Sequence, residues 1–352
     1  LSHPGHHILV THMTPTGRAT GEEIFGERVE RAWLPYDQGF AVRGFLRHFK
    51  PEFGIVLETE LWPRLLQECH TRGVPVMLAN ARLSERSARR YARFPAIAHW
   101  ALANLDGIAA QTPADAQRFV DLGAHDVAVT GNVKFDLAVP ADTAQRGAEL
   151  RRRFGAQRHI WVAGSTREGE EALLLDAFAA QPALAQALLV IVPRHPQRFD
   201  EVAQLAAARG LRVARRSAGG QLDAAVRVVV GDSMGEMLAY YAAADVVIMG
   251  GSLLEYGSQN LIEPCALGKP VIVGPHTFNF EQAARGAIAA GAAVRVADAG
   301  AALAQAAAIQ GDEARRRLMG ERGLEFVAAH RGAVERLVRW IAQTVSRAKA
   351  SG

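Results

Sequence analysis

Short β-branched runs alternate with Ala-, Leu- and Arg-rich stretches along almost the whole chain, and this alternation limits the fold more than any other feature. Candidate strands are His7–Thr11, Ala32–Leu34, Phe53–Leu57, Val74–Ala79, Gly107–Ala110 and Val127–Thr130. A second series is His159–Val162, Leu188–Val192, Arg212–Ala214, Arg227–Val230, Val246–Met249, Val271–Val273 and Ala293–Val296. Several are continuous apolar runs, as in parallel strands whose two faces are both covered by helices. The intervening helical stretches, about 10–15 residues each, are long enough for crossovers, so the repeated unit is βαβ and the class is α/β.

At ~100–200 residues per domain, 352 residues predict two domains. The expected division is a first domain over 1–135, a linker over 136–155 containing Pro140, and a second domain over 156–331. Two doubly wound sheets of this kind bind ligands at the carboxyl ends of their strands. In the terminal stretch 332–348, Val334, Leu337, Val338, Ile341 and Val345 fall at helical spacing and predict an amphipathic helix. An apolar content of 49% and a charged content of 22% exclude disorder, collagen and a polytopic membrane protein. The net charge, 40 − 36 = +4, is too small to argue for nucleic acid. Cys69 and Cys265 form no close-spaced motif, which suggests a reducing compartment.

In the second half, polar turns follow strand after strand. Gly164-Ser165-Thr166-Arg167-Glu168 combines a glycine, which permits close backbone approach, with a following helix whose N–H groups suit an anion. Ser/Thr N-capping, with Glu170 or Glu171 as a capping-box partner, explains the same residues. Pro193-Arg194-His195-Pro196 either aims an Arg at a phosphate or carboxylate or is a surface turn. Gly231-Asp232-Ser233-Met234-Gly235-Glu236-Met237 either wraps a base or ribose edge or is a capped loop. Gly250-Gly251-Ser252 leads through Glu255-Tyr256-Gly257-Ser258-Gln259-Asn260 to Glu263. There a helix N-terminus suits a phosphate, and a first-turn carboxylate can accept both hydroxyls of a ribose. Glu263 alone would be an ordinary solvated carboxylate, but four strand-end sites in one domain point to a nucleotide at the sheet edge.

In the first half, Thr14-Pro15-Thr16-Gly17 and Glu58-Thr59-Glu60-Leu61-Trp62-Pro63 also follow strands. The two carboxylates of the latter either share a site, with one pKa raised, or cap the next helix. Asn80-Ala81-Arg82-Leu83-Ser84 precedes a basic stretch with Arg86, Arg89, Arg90 and Arg93, interleaved with Tyr91 and Phe94. Such a helix suits anionic lipid head groups or is a solvated face. From Arg82 to Arg93 there are five Arg and one Glu, a local +4. Lys134, in Gly131-Asn132-Val133-Lys134-Phe135-Asp136, is placed to meet an acidic ligand. The early histidines have no closed ligand spacing, and no Walker loop, nucleophile elbow or H-E-x-x-H occurs, so no metal site is expected.

Together these motifs, with Leu34-Pro35-Tyr36-Asp37, Glu85-Arg86-Ser87 and Gly274-Pro275-His276-Thr277-Phe278-Asn279-Phe280, give the chain its family likeness. In order, from near residue 8 to residue 330, they resemble the 3-deoxy-D-manno-octulosonic acid (Kdo) transferase family. The resemblance implies a GT-B glycosyltransferase of two Rossmann-like domains, its C-terminal helix crossing back to the first. It implies inverting, metal-independent transfer of Kdo from CMP-Kdo to the lipid A precursor, with no cofactor, at the cytoplasmic face of the bacterial inner membrane. On this likeness Ser165 and Thr166 would hold the phosphate region, and Arg194 and His195 would meet phosphate or the Kdo carboxylate. Met234, Gly235 and Glu236 would line the cytidine. Gly251, Ser252 and Asn260 would present donors near the phosphate, and Glu263 would bind ribose. Thr16, Gly17 and Lys134 would lie on the acceptor side, Glu60 would support the reacting groups, and Arg86, Arg89 and Arg90 would meet an anionic lipid and membrane surface.

The chain departs from the family pattern in three places. A His-Gly-Gly-His-Asn run is common where this chain has Tyr256-Gly257-Ser258-Gln259-Asn260, and Arg167 stands where His is common. The family's proposed base is a Glu in a Gly-Glu loop after a first strand, preceded by a membrane anchor. No such strand and loop precede His7, so base and anchor are expected N-terminal to residue 1, and Glu22 and Glu23 do not take the role. A UDP-sugar 2-epimerase of related fold, or a nucleotide- or lipid-binding fragment lacking its base, are the alternatives.

Overall fold

A computed structural model describes residues 7–58, 61–181, 184 and 186–351. The chain forms two compact units: Leu1–Asn132 together with Ala333–Gly352, and Val133–Gly332.

In the first unit, β1 (Leu9–His12) pairs in parallel with β2 (Glu30–Trp33). β3 (Gly54–Leu57), β4 (Val76–Ala81), β5 (Gly107–Ala110) and β6 (Val127–Val129) form a second parallel sheet in that order. A single doubly wound sheet is the expectation from sequence; among the described residues these six strands make two sheets, since β3 pairs with β4 and β1 with β2. Six helices follow the strands: α1 (Pro15–Phe25), α2 (Gly39–Phe49), α3 (Pro63–Thr71), α4 (Glu85–Tyr91), α5 (Pro95–Ala103) and α6 (Pro113–Asp121). Four of them start with Pro at the first helical position, where a missing N–H costs nothing and φ is already set. Thr14, Ser84 and Thr112 cap α1, α4 and α6 with side-chain oxygens that accept a backbone N–H. Trp62 cannot cap α3, and Asp37 does so from the end of another segment: its carboxylate accepts from Arg64 N at 3.0 Å and Leu65 N at 2.8 Å.

The second unit is one seven-stranded parallel sheet. In chain order its strands are β7 (His159–Thr166), β8 (Ala187–Pro193), β9 (Val213–Arg215), β10 (Val228–Val230), β11 (Val246–Met249), β12 (Val271–Val273) and β13 (Ala293–Arg295). In space the order is β13-β12-β11-β7-β8-β10-β9. Alternate residues enter two different cores. Ile160 and Val162, Leu188 and Val190, and Val247 and Met249 pack on one face. Trp161 and Ala163, Leu189 and Ile191, and Val246 and Ile248 pack on the other. The continuous apolar runs follow from this two-sided burial, with each fully buried large side chain contributing about 1.5–3 kcal/mol.

The covering helices are α7 (Thr143–Phe154), α8 (Glu170–Ala179), α9 (Phe199–Ala208), α10 (Met237–Ala243), α11 (Ile262–Ala266), α12 (Glu281–Ala289), α13 (Ala299–Gly311) and α14 (Glu313–Ala329). The stretch 136–155, expected as a linker, is therefore largely helix. Leu150 and Phe154, four residues apart on one face of α7, are buried in the core of the second unit, so the chain leaves the first unit at Asn132 instead. α15 (Ala333–Ser351) groups with the first unit. Its Trp340 lies against Gly107, where a Cβ would stand 2.8 Å from the indole.

One buried carboxylate organises the surface of α2 and α3. Glu68 accepts Arg43 at 3.0 Å, Arg64 at 3.0 Å and Arg72 at 2.5 Å. The Arg72 hydrogen bond, opposed by burial and aided by Arg43, holds its pKa below the ordinary value. A depressed carboxyl pKa contributes stability that is present above the unfolded value, near about 4.3, and is lost as pH falls through the folded one. We therefore expect Glu68→Gln to lower the melting temperature at about pH 7 and the difference from wild type to close below about pH 4, read by thermal unfolding across that range.

Candidate functional site

Five neighbouring strands of the second sheet, β12, β11, β7, β8 and β10, each end in one of the polar loops singled out in the sequence. β7 lies beside β8 on one side and β11 on the other, so the winding direction changes between β7 and β11. Open parallel sheets bind ligands outside the carboxyl ends of the strands at such a switch point.

The loop after β7 is shaped by a bulge. Gly164 stays paired with β8 and the register then skips to Thr166, leaving Ser165 in the left-handed region at φ 55°. Gly164 must lack a side chain because a Cβ would meet the Tyr241 ring. Thr166 is fully buried, and its hydroxyl donates to Glu171 at 3.0 Å. The hydroxyl expected at the phosphate is thus engaged inside the protein. Glu171 is itself buried and also receives Arg198 at 3.3 Å.

The loop after β11 folds back on the same edge. Gly250 packs so tightly that a Cβ would collide with the Ser165 carbonyl. Gly251 N donates to Glu170 at 2.6 Å. Ser252 is fully buried; its hydroxyl donates to the Met249 carbonyl at 2.5 Å and accepts from Gly274 N at 2.8 Å. The donors expected of Gly251 and Ser252 are therefore spent on joining this loop to its neighbours. Asn260 donates its side-chain amide to Glu263 at 3.0 Å and accepts from Ile262 N at 3.2 Å. Glu263 is raised in pKa by burial, with Asn260 and the charge of Arg194 pulling the other way. α11, which begins at Ile262, is only five residues long, so its dipole is small and anion attraction has to come from side chains.

Those side chains stand at the ends of β7 and β8. Arg194 and His195 are exposed there, and Arg167 lies 4.7 Å over the Tyr256 ring. Desolvation, then the charges of Arg167, Arg194 and Arg198, lower the pKa of His195 below its ordinary value. At neutral pH its imidazole is therefore an uncharged hydrogen-bonding group among three guanidiniums. Farther along the edge Glu236 accepts Arg146 and Arg216, each at 3.2 Å; burial pushes its pKa up, but the Ser233 hydrogen bond and these two guanidiniums outweigh it and leave the pKa lowered. Asp232 accepts from Ser217 N at 2.8 Å and from its hydroxyl at 2.6 Å, tying the loops after β9 and β10. Met234 is 63% exposed and Gly235 takes φ 72°, so that segment shows a solvent-facing backbone while Glu236 supports it from behind.

Of the remaining expected residues, Lys134 lies beside the loop after β12, and the described others belong to the first unit. Lys134 belongs to the second unit, with its Nζ 5.1 Å over the Phe280 ring. Gly17 N donates to Thr14 at 3.1 Å within the cap of α1, where Thr16 is exposed. Arg86, Arg89 and Arg90 are exposed on α4 in the first unit; Arg89 pairs with Glu85 at 3.2 Å and Arg90 lies 5.6 Å from the Tyr91 ring. Glu60 lies outside the described residues. Among the described residues no three His, Cys, Asp or Glu side chains converge as a metal-binding group. Both cysteines are buried, with their thiols pushed up to about 11 at Cys69 and about 12 at Cys265.

Residues 1–137 match the family described as 3-deoxy-D-manno-octulosonic-acid transferase (kdotransferase). The chain is 47% identical to the 3-deoxy-D-manno-octulosonic acid transferase of Bordetella pertussis, an alignment spanning 94% of this chain and 79% of that protein. The chain belongs to the Kdo transferase family. The Kdo transferase of Haemophilus influenzae is 37% identical over 94% of this chain and 78% of its own length. The crystal structure of the C-terminal CMP-Kdo binding domain of WaaA from Acinetobacter baumannii superposes with a TM-score of 0.51 at 30% identity, covering 53% of this chain and 99% of that one. This family member is a glycosyltransferase of GT-B fold.

Two residues that organise the family's sheet edge here, Glu170 and Glu171, enter the sequence reading only as capping partners. The available signal is periodicity. Glu170, Leu174 and Phe178 lie at i, i+4 and i+8, Glu171 and Leu175 at i and i+4, and all five are buried. Both carboxylates thus continue the apolar stripe of α8 inward. Ser252 is the simplest member of this framework to test. Ser252→Ala removes one buried hydroxyl and leaves Gly274 N without an acceptor, so thermal unfolding is expected to show a loss of about 1–3 kcal/mol in the second unit.

Proposed function

We propose that this chain transfers Kdo from CMP-Kdo to a lipid A precursor, with the carboxyl edge of the second sheet as the donor site. The observation that carries this reading is the charge layout at the switch point. Arg167 and Arg194 supply cations and His195 a neutral donor at the ends of β7 and β8, while the half-buried Glu263–Asn260 pair supplies acceptors. A CMP-sugar of this kind carries a phosphate and a sugar carboxylate, matching two cationic groups, and ribose hydroxyls, matching a carboxylate. The solvent-facing backbone of Met234 and Gly235 suits the base edge.

The chemistry follows from the leaving group. CMP departs as a phosphate anion, and fixed guanidiniums stabilise the charge that develops on it. His195, kept neutral by desolvation and by its cationic neighbours, gains basicity when an anion binds and can then donate to that anion. We infer that transfer inverts the anomeric centre, needs no metal or cofactor, and takes place on the cytoplasmic face of the inner membrane. Supporting the last point, Arg86, Arg89 and Arg90 are exposed beside Phe94, which is 63% exposed, as expected for an anionic lipid surface. No described helix is long and apolar enough to cross a membrane.

Two measurements test the reading. Thermal unfolding with CMP, UMP and CDP is expected to show a clear rise with CMP; a rise with UMP and none with CMP would favour the epimerase-like alternative. Vesicle sedimentation is expected to show binding to anionic liposomes that weakens with salt and falls when Arg86, Arg89 and Arg90 are all replaced by Ala. Unaltered binding by that triple variant would count against the surface.

A further inference from the structure

The loops after β7 and β11 meet at the switch point although some 80 residues separate them in sequence. One side chain joins them. Glu170, the first residue of α8, is fully buried. One of its oxygens accepts from Arg167 N at 2.8 Å and from Gly251 N at 2.6 Å, and the other accepts from Leu253 N at 2.9 Å. A single carboxylate thus holds backbone N–H groups of both loops.

We propose that Glu170 is a positioning residue of the donor site: it fixes the loop carrying Arg167 against the loop that leads to Asn260 and Glu263, and so sets the spacing at which the donor's anionic groups are held. This rests on the donor-site reading above and adds to it a residue that touches no substrate.

Three observations favour positioning over simple helix capping. A local cap needs only one bond accepted from the turn that enters its own helix, and Arg167 N, three residues earlier, supplies it. The bonds from Gly251 and Leu253 go beyond that need and come from a distant strand end. Next, an ionised carboxylate is costly to bury, and among the described residues no cation pairs with Glu170; backbone N–H groups alone offset its burial, which leaves its pKa raised. Its neighbour Glu171, by contrast, has Arg198. Finally, the same two loops are joined again nearer the surface, where the Arg167 guanidinium stacks on Tyr256 and the Tyr256 hydroxyl donates to the Glu168 carbonyl at 3.2 Å. The backbone and the side chain of Arg167 are thus restrained toward one loop by two independent contacts.

One oxygen bridges the two loops and the other holds Leu253 N, so keeping all three bonds takes an acceptor with two oxygens. Glutamine keeps the shape but must turn its NH₂ toward one of the N–H groups; aspartate keeps both oxygens but is shorter by one methylene. The test compares Glu170→Gln and Glu170→Asp in the full chain by CMP titration calorimetry at a temperature well below unfolding, with amide hydrogen exchange over 164–168 and 250–254. Glu170→Gln is expected to weaken CMP binding about tenfold or more, with Glu170→Asp intermediate. Faster exchange is expected in those two loops while the strands of the second sheet stay protected. Wild-type CMP affinity in a folded Gln variant overturns the proposal. If the Gln variant does not fold, the Asp variant decides: weakened binding supports the proposal, and wild-type affinity overturns it. Failure of both to fold makes Glu170 a purely structural residue and also overturns it. If the wild-type chain itself shows no CMP binding, the donor-site reading fails separately; the exchange pattern then decides whether Glu170 couples the loops, and unchanged exchange refutes that as well.

Discussion

A parallel sheet leaves no face for water, and most of this structure depends on that constraint. Once helices cover both sides of β7, β8 and β11, successive apolar residues along those strands alternate between two apolar cores. Polar chemistry is then confined to where the strands stop. The parallel arrangement points all the stops of one sheet the same way, so loops from five strands gather on one edge. A site made of many weak motifs, none persuasive alone, is the natural product of this geometry.

That edge has little slack because carboxylates pin it from beneath. Glu171 is neutralised by Arg198 and restrains Thr166, and Glu170 is held by backbone N–H groups of two loops. Glu263 is half-buried and held by Asn260, and Glu236 is braced by Arg146 and Arg216. Glu68, in the first unit, meets three guanidiniums and has its pKa depressed, whereas Glu170 meets none and has its pKa raised. The same side chain thus stores opposite electrostatic tendencies according to whether charges or dipoles face it. Glycines complete the framework where backbones touch: Gly250 against Ser165 and Gly274 against Ser252 leave no room for a Cβ.

Much of the fold was legible in the chain. Each strand expected from a β-branched run overlaps an observed strand, and Val246–Met249 and Val271–Val273 coincide with theirs, because a run of apolar β-branched residues bounded by Gly or polar turns has few other uses. The linker was misplaced because the polar residues of 142–153 hide the two that matter, Leu150 and Phe154, whose burial is a matter of helix phase rather than composition. At the carboxyl edge, the polar loops follow the strands as expected, but several side-chain partners were not legible. Ser252 and Thr166 read as free hydroxyls because sequence shows only the group, not the partner that satisfies it. Glu170 read as a local cap because its decisive partners lie more than 80 residues away.

By itself the sequence determined the class, the number of βα units, the family and the polar loops that end the strands, since periodicity and short motifs are local properties of the chain. The tertiary structure alone decided the order β13-β12-β11-β7-β8-β10-β9, and with it which loops become neighbours. It also decided which polar groups face the ligand side and which hold the frame. Strand order depends on how crossovers pack over a shared core, and a hydrogen bond depends on what stands opposite. Both are relations between distant segments, and no window of sequence contains them.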